Sequence, residues 1–195
     1  PQISPRRVSL KNTQVGHPSL TRSYLAPNHS ADDADSVALQ VFAEILGSKS
    51  TSRLYQAIVV EQALATWAGA SYHPLALDNS RFYIYADALP GVSIEEVETA
   101  LDGVIDELLL NGPNDEELAS AKGRMQDVIV YALDSPQAVA NMFGNALSVG
   151  LRVADVESWP ARVAAVTRER VIAAARAVLR LELSVTGTLL PSEEG

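Results

Sequence analysis

Three histidines, His17, His29 and His73, are the natural candidates for metal or acid–base chemistry in this 195-residue chain. They stand in GHPSL, NHSAD and SYHPL, all near turns, and no two have the short spacing that sets a pair of ligands on one helix face. The expectation is three solvated loop histidines; a metal site assembled from distant positions stays open as the alternative. Serine is plentiful, but no Gly-x-Ser-x-Gly elbow occurs. GSKSTS at 47–52 lacks the glycines and the Gly-Lys-Ser/Thr order of a phosphate-cradling loop, and reads as a connector between helices with Ser50 or Thr51 as an N-cap. The carboxylates at 95–98 and 115–117 fall in first helical turns, where they complement the helix dipole. Arg168, Arg170, Arg176 and Arg180 read as a solvated helix face, their stems lying over it. Residue chemistry alone assigns no catalytic, metal-binding or substrate-binding residue.

Composition limits what else the chain can do. Its length suits one domain, 1–195, with a core large enough to need no staples. A net charge of −9 argues against nucleic acid as a partner, because phosphate binding needs a clustered basic surface. Zero cysteines exclude disulfides, zinc-thiolate sites and thiol catalysis, and leave the compartment open. No apolar run approaches the roughly 20 residues of a transmembrane helix. The opening PQISPRR has no apolar signal-peptide core, and its abrupt, strand-like character reads as a fragment of something longer.

The elements that must position any site follow from periodicity. SLTRSYLAP (19–27) is a strand, and NHSADDADS a polar loop with acids massed where a helix begins. Val37, Ala38, Val41, Phe42, Ile45 and Leu46 make one helical face that stops at Gly47, and a shorter helix uses Leu54, Tyr55 and Ile58. ATWAGASYH and RFYIYADA alternate as strands around the turn LALDNS. Ser93 and Glu96 form a capping box ahead of a helix through Leu108. Asn114 caps the next, with Leu118, Ala121, Met125 and Val128 facing inward. Ser135 and Pro136 start a helix bearing Val139, Met142, Phe143 and Leu147, which ends at Gly150. DVESWPARVAAVT is a short helix or turn, Thr167 begins a last helix along Val171, Ala174, Val178 and Leu179, and LELSVTGTLLP is the final strand. The order β-α-α-β-β-α-α-α-α-β predicts an α+β fold, a largely antiparallel sheet covered by helices.

AEILGSKSTSRLYQAIVVEQALATWAGASY, followed in order by RFYIYADALPGVSIEEV, NDEELASAKGRM and WPARVAAVTRERVIAAARAVL, resembles the C-terminal domain of pitrilysin/insulinase-class zinc metallopeptidases. The likeness is to the bacterial, mitochondrial-processing-peptidase-like branch and spans most of the chain. The resemblance implies a metallohydrolase domain fold in which zinc sits in the N-terminal domain, on an inverted His-x-x-Glu-His motif absent here. It also implies an Arg and a Tyr, seven residues apart after SRLYQ, that hold the substrate and its reacting carbonyl. The matching positions here are Val59 and Thr66, neither of which can stabilise a developing oxyanion.

Two readings follow. In the first the chain is the non-catalytic domain of a zinc-carrying subunit of a metalloendopeptidase. It forms chamber wall and subunit interface, and a homologous subunit, hetero- or homodimeric, supplies Arg and Tyr. Its partners would be the N-terminal zinc domain, that subunit and unfolded peptides. In the second it is a structural or assembly module of a wholly inactive homologue. Either way this fragment is expected to bind no cofactor and to be inactive alone; the resemblance favours the bacterial periplasm over the cytoplasm.

Overall fold

The computed structural model describes residues 4–29 and 33–192, so Ser30, Ala31 and Asp32 of the polar loop and the extreme termini lie outside the described residues. Five strands form one sheet: β1 (Arg6–Asn12), β2 (Ser19–Ala26), β3 (Ala65–Tyr72), β4 (Ser80–Ala88) and β5 (Ser184–Pro191), in the order β1-β5-β2-β4-β3. Three of the four ladders are antiparallel, and β1 runs parallel to β5, Arg6 opposite Val185 and Asn12 opposite Pro191. The α+β expectation therefore holds, with one strand more than the periodicity predicts. β1 is exposed along its whole length, and the short alternation of Val8 and Leu10 with Arg7, Ser9 and Lys11 that marks it in the sequence went unread.

Strands β2 and β4 alternate between buried and open positions. Leu20, Tyr24, Phe82, Ile84 and Ala86 turn inward, while Thr21, Leu25, Arg81 and Asp87 stay exposed on the other face. The inward face is covered by α1 (Asp33–Gly47), α2 (Ile94–Asn111) and α7 (Arg168–Val178), with α3 (Asp115–Leu133) packed on α1 and α4 (Pro136–Ser148), α5 (Val153–Glu157) and α6 (Trp159–Ala165) beyond them. The helix starts are chemically specified. Ser93 and Asn114 each accept from the N3 backbone N–H while Glu96 and Glu117 bond back to the cap, both complete capping boxes. Ser135 caps α4 ahead of Pro136, and Thr167 caps α7.

Small residues let α1 approach the sheet closely. A Cβ on Gly47 would lie 2.0 Å from the Ala70 backbone nitrogen, and one on Gly69 would lie 2.8 Å from the Gly47 carbonyl oxygen. Under the helices Arg22 is buried. It donates to Thr186 Oγ1 at 3.2 Å, to Glu98 at 2.7 Å and to Asp102. Burial alone pulls that guanidinium toward neutrality, but the bonds to Asp102 and Glu98 and the nearby charges outweigh it and hold its pKa above the ordinary value. Glu98 also pairs with Arg7 at 2.8 Å, tying edge strand β1 to α2.

Several sequence expectations change. Val128 is not inward-facing but 59% exposed, because α3 packs on α1, α4 and α6 and this side of the helix is left open. The arginines near the end are not a merely solvated face. Arg168 donates to the Asn111 carbonyl, Arg176 donates to Leu109 at 2.9 Å, Arg170 pairs with Asp35 at 2.7 Å, and Arg180 pairs with Glu182 at 2.7 Å. The first two satisfy carbonyls left open at the end of α2.

Candidate functional site

The segment 51–67 turns from α1 into β3. Its helix begins at Arg53, after Ser52, and neither Ser50 nor Thr51 caps it; the first bond runs from the Gln56 N–H to the Ser52 carbonyl at 2.9 Å. From Tyr55 to Glu61 the turn widens into a π-helix, a rare conformation where the sequence predicts an ordinary helix. Leu54 and Ile58 anchor it in the core. The wide turn is closed by the Gln62 N–H on the Ala57 carbonyl at 3.0 Å and the Leu64 N–H on the Ile58 carbonyl at 2.9 Å. Ala63 between them takes φ 49°, a left-handed conformation unusual outside glycine and asparagine.

Val59 lies on this π-turn, partly buried against the core, and offers no polar atom beyond its backbone. Thr66 sits at a bulge in β3, where the register shifts between Ala65 and Trp67; its hydroxyl donates to the Asp87 carbonyl at 3.2 Å. Arg53, the one cation between 51 and 67, is turned elsewhere. Its Nε and Nη2 donate to the two oxygens of Glu117 at 2.7 and 2.9 Å, and its Nη1 to Glu107 at 3.1 Å. Beside the bulge, Trp67 meets Tyr55 edge-on with ring centroids 5.4 Å apart, and Trp67 is 43% exposed. Sequence reasoning placed both aromatics on their elements but could not pair them, because the contact depends on the π-turn.

His17 and His73 are exposed, as expected, but His29 is buried, correcting its reading as a solvated loop residue. Its backbone N–H donates to the Pro74 carbonyl at 3.1 Å, pinning the loop after β2 to the loop after β3. The Tyr72 hydroxyl adds a bond to the Pro27 carbonyl at 2.5 Å, and burial pushes its pKa up. His29 and His73 both border a cleft of about 660 Å³ between α1, the end of β3 and α3–α6, with Met125, Met142, Trp159 and Asp155 also in its wall. Several of the polar groups there are already engaged. Trp159 Nε1 donates to Gln40 at 2.9 Å and Arg124 Nε to Glu44 at 2.7 Å. Asp155 is held down to about 2 by hydrogen bonds from the Arg152 side chain and backbone, so it is an ionised acceptor at neutral pH and no proton donor. Among the described residues no group of three or more His, Cys, Asp or Glu could hold a metal ion.

Residues 1–125 match the Peptidase M16 inactive domain family. The chain is 29% identical over 186 residues to an uncharacterized zinc protease of Streptomyces coelicolor, a match covering 94% of this chain and 38% of that protein. Its fold superposes on a protease from Helicobacter pylori with a TM-score of 0.90 at 21% identity, covering 97% of this chain and 45% of the other. An inactive peptidase domain from Bordetella parapertussis gives a TM-score of 0.81 at 23% identity, covering 95% and 98%. The protein belongs to the M16 peptidase inactive-domain family, and it spans less than half the length of the Streptomyces and Helicobacter relatives. No described helix is long and apolar enough to cross a membrane.

Proposed function

We propose that these residues form a single non-catalytic domain of a zinc-dependent endopeptidase subunit, whose open sheet face walls a peptide chamber. The observation that carries this reading is the pairing of a preserved frame with unsuited side chains. The π-turn and bulge hold Val59 against the core and tie Thr66 to Asp87, where the resemblance calls for Arg and Tyr. Neither can stabilise a carbonyl oxygen as it gains charge. The Arg and Tyr would come from a homologous subunit, and zinc from the N-terminal domain of the full-length polypeptide. Zinc there would activate a water toward the peptide carbonyl. Unfolded peptides would be held by backbone and volume instead of a deep specificity pocket. The periplasm is our reading of its location, supported by the resemblance to bacterial members alone.

The test is elemental analysis and peptide hydrolysis on two samples: this 195-residue chain, and the full-length protein with any subunit that co-purifies. The chain alone should hold no stoichiometric zinc and cleave nothing, while the full assembly should do both. One equivalent of zinc on the 195-residue chain overturns the reading. A full-length protein with neither zinc nor activity favours a purely structural homologue.

A further inference from the structure

The cleft between α1 and α3–α6 selects by its shape what can enter it. It runs along α1 from Ser36 through Gln40 and Glu44 to Ser48, about 18 Å at helical rise. Over that length a volume of about 660 Å³ makes a channel about 7 Å across. Met125, Ile129, Met142, Val149, Val156 and Trp159 form the facing wall, and all six are half-buried, the state of side chains that line a groove. Both methionines of the chain stand here, and thioether side chains repack readily around guests of different shape.

Width and polarity exclude a peptide. A helix is about 10–12 Å wide, too broad for the channel. An extended segment would fit, but it would bury N–H and C=O groups that need partners. Midway along the groove Gln40 already accepts from Trp159 Nε1 at 2.9 Å, and Glu44 from Arg124 Nε at 2.7 Å. A hydrocarbon chain asks for no partner, and at about 1.2 Å per bond about 15 carbons span the groove.

Charge then selects the head group. Glu44 and Asp155 border the cleft, and the one Lys or Arg among its described lining residues, Arg162, donates to the Asp155 carbonyl at 2.7 Å. A carboxylate or phosphate would therefore face two acids. An ammonium gains little either, because Arg124 and Arg152 already pair with those acids at 2.7 and 2.9 Å. An uncharged hydroxyl meets neither penalty, and the rings of His29 and His73 border the cleft to receive it.

We propose that this cleft is a binding site for a single-chain, uncharged lipid with a hydroxyl head, its chain lying along α1 against the two methionines and Trp159. This stands independently of the peptidase reading. The 195-residue chain labelled with carbon-13 at its methionine methyls gives two reporters, both in the cleft. Decanol should shift both saturably, at one molecule per chain, and butanol at the same concentration should shift neither. Affinity should rise about fourfold per added carbon from hexanol to decanol. Decanoate and decylammonium should each bind at least about tenfold more weakly than decanol. Met142→Glu should weaken decanol at least about tenfold, read from the Met125 methyl. Where that variant does not fold, Met142→Ala should weaken it about fourfold or more.

Methyls unmoved by decanol overturn the proposal. So do equal affinities for the three ten-carbon probes, which would leave the head group unrecognised, and shifts that never saturate. Methyl shifts that follow protein concentration with no alcohol present would give the groove to a second copy, and overturn it too. Zinc content and peptide hydrolysis play no part in these readouts, so failure here leaves the function proposed above intact.

Discussion

Arg53 grips Glu117 with two parallel hydrogen bonds of 2.7 and 2.9 Å, joining the π-turn segment to the first turn of α3. Glu117 simultaneously accepts from the Asn114 N–H at 2.8 Å, so one carboxylate serves the helix cap and the ion pair. Replacing Arg53 by alanine should cost about 1–2 kcal/mol at neutral pH, discounted for partial exposure, a fall of about 3–6 °C in Tm. Arg53→Lys should recover less than half, because an ammonium cannot form the fork.

The same pair gives a pH dependence of known sign. Hydrogen bonds from Arg53 hold the Glu117 carboxyl below the ordinary carboxylate range, outweighing burial, which pushes it up. A folded-state pKa below the unfolded value stabilises fully above the unfolded value, about 4.3, and is lost as pH falls through the folded value. The stability difference between wild type and Arg53→Ala should thus be constant from pH 7 to about 5 and shrink below about 4. Urea midpoints across that range check it, and a gap that widens in acid contradicts it.

Beneath the helices, Arg22 balances two carboxylates. Arg22→Ala takes the cation from Asp102, leaves Glu98 only its pair with the exposed Arg7, and removes a donor to Thr186. The expected loss is about 2–4 kcal/mol, below the figure for a fully buried pair because Asp102 is partly solvated. Asp102→Asn should cost less than about 1 kcal/mol, since Glu98 remains. Equal losses from the two substitutions would show that the network is not centred on the arginine.

Ala63 offers a gain. An L-residue in the left-handed region costs about 1–2 kcal/mol, and glycine removes that strain while adding freedom to the unfolded chain. Ala63→Gly should therefore stabilise by about 0.5–1 kcal/mol, a rise of about 2–4 °C by calorimetry. A lower Tm would mean the Ala63 methyl makes contacts worth more than the strain.

Gly47 offers the reverse. Gly47→Ala drives a methyl to 2.0 Å from a backbone nitrogen of β3, which no rotamer change relieves, and should destabilise by at least about 3 kcal/mol. Gly103→Ala in α2 meets nothing within 4 Å and should instead stabilise by about 0.5–1 kcal/mol. The contrast separates close approach from any general effect of glycine replacement.

What the sequence discloses divides along physical lines. Capping at Ser93, Asn114, Ser135 and Thr167 is local chemistry, so each was readable from a few residues and each is present. Strands β2 and β4 announce themselves by alternation because one face is buried. β1 is held by its register with β5, 179 positions along from Arg6 to Val185, and no local pattern records that. The exposure of Val128 follows from which helices α3 packs against, which apolar periodicity does not encode. At the candidate site the residue types at 59 and 66 were legible, but the π-turn, the left-handed Ala63 and the Tyr55–Trp67 contact were not. They arise from fitting one segment between α1 and β3.

The strand order carries a cost during synthesis. β5 lies between β1 and β2, so the first two strands made cannot gain their neighbour until residues 184–191 have left the ribosome. Until then an empty lane, one ribbon wide, stays open between them. The basic residues of the outermost ribbon, Arg6, Arg7 and Lys11, repel a like ribbon from another nascent molecule. A chain cut short before the last lane is filled should collect in inclusion bodies, even though every helix has already been translated.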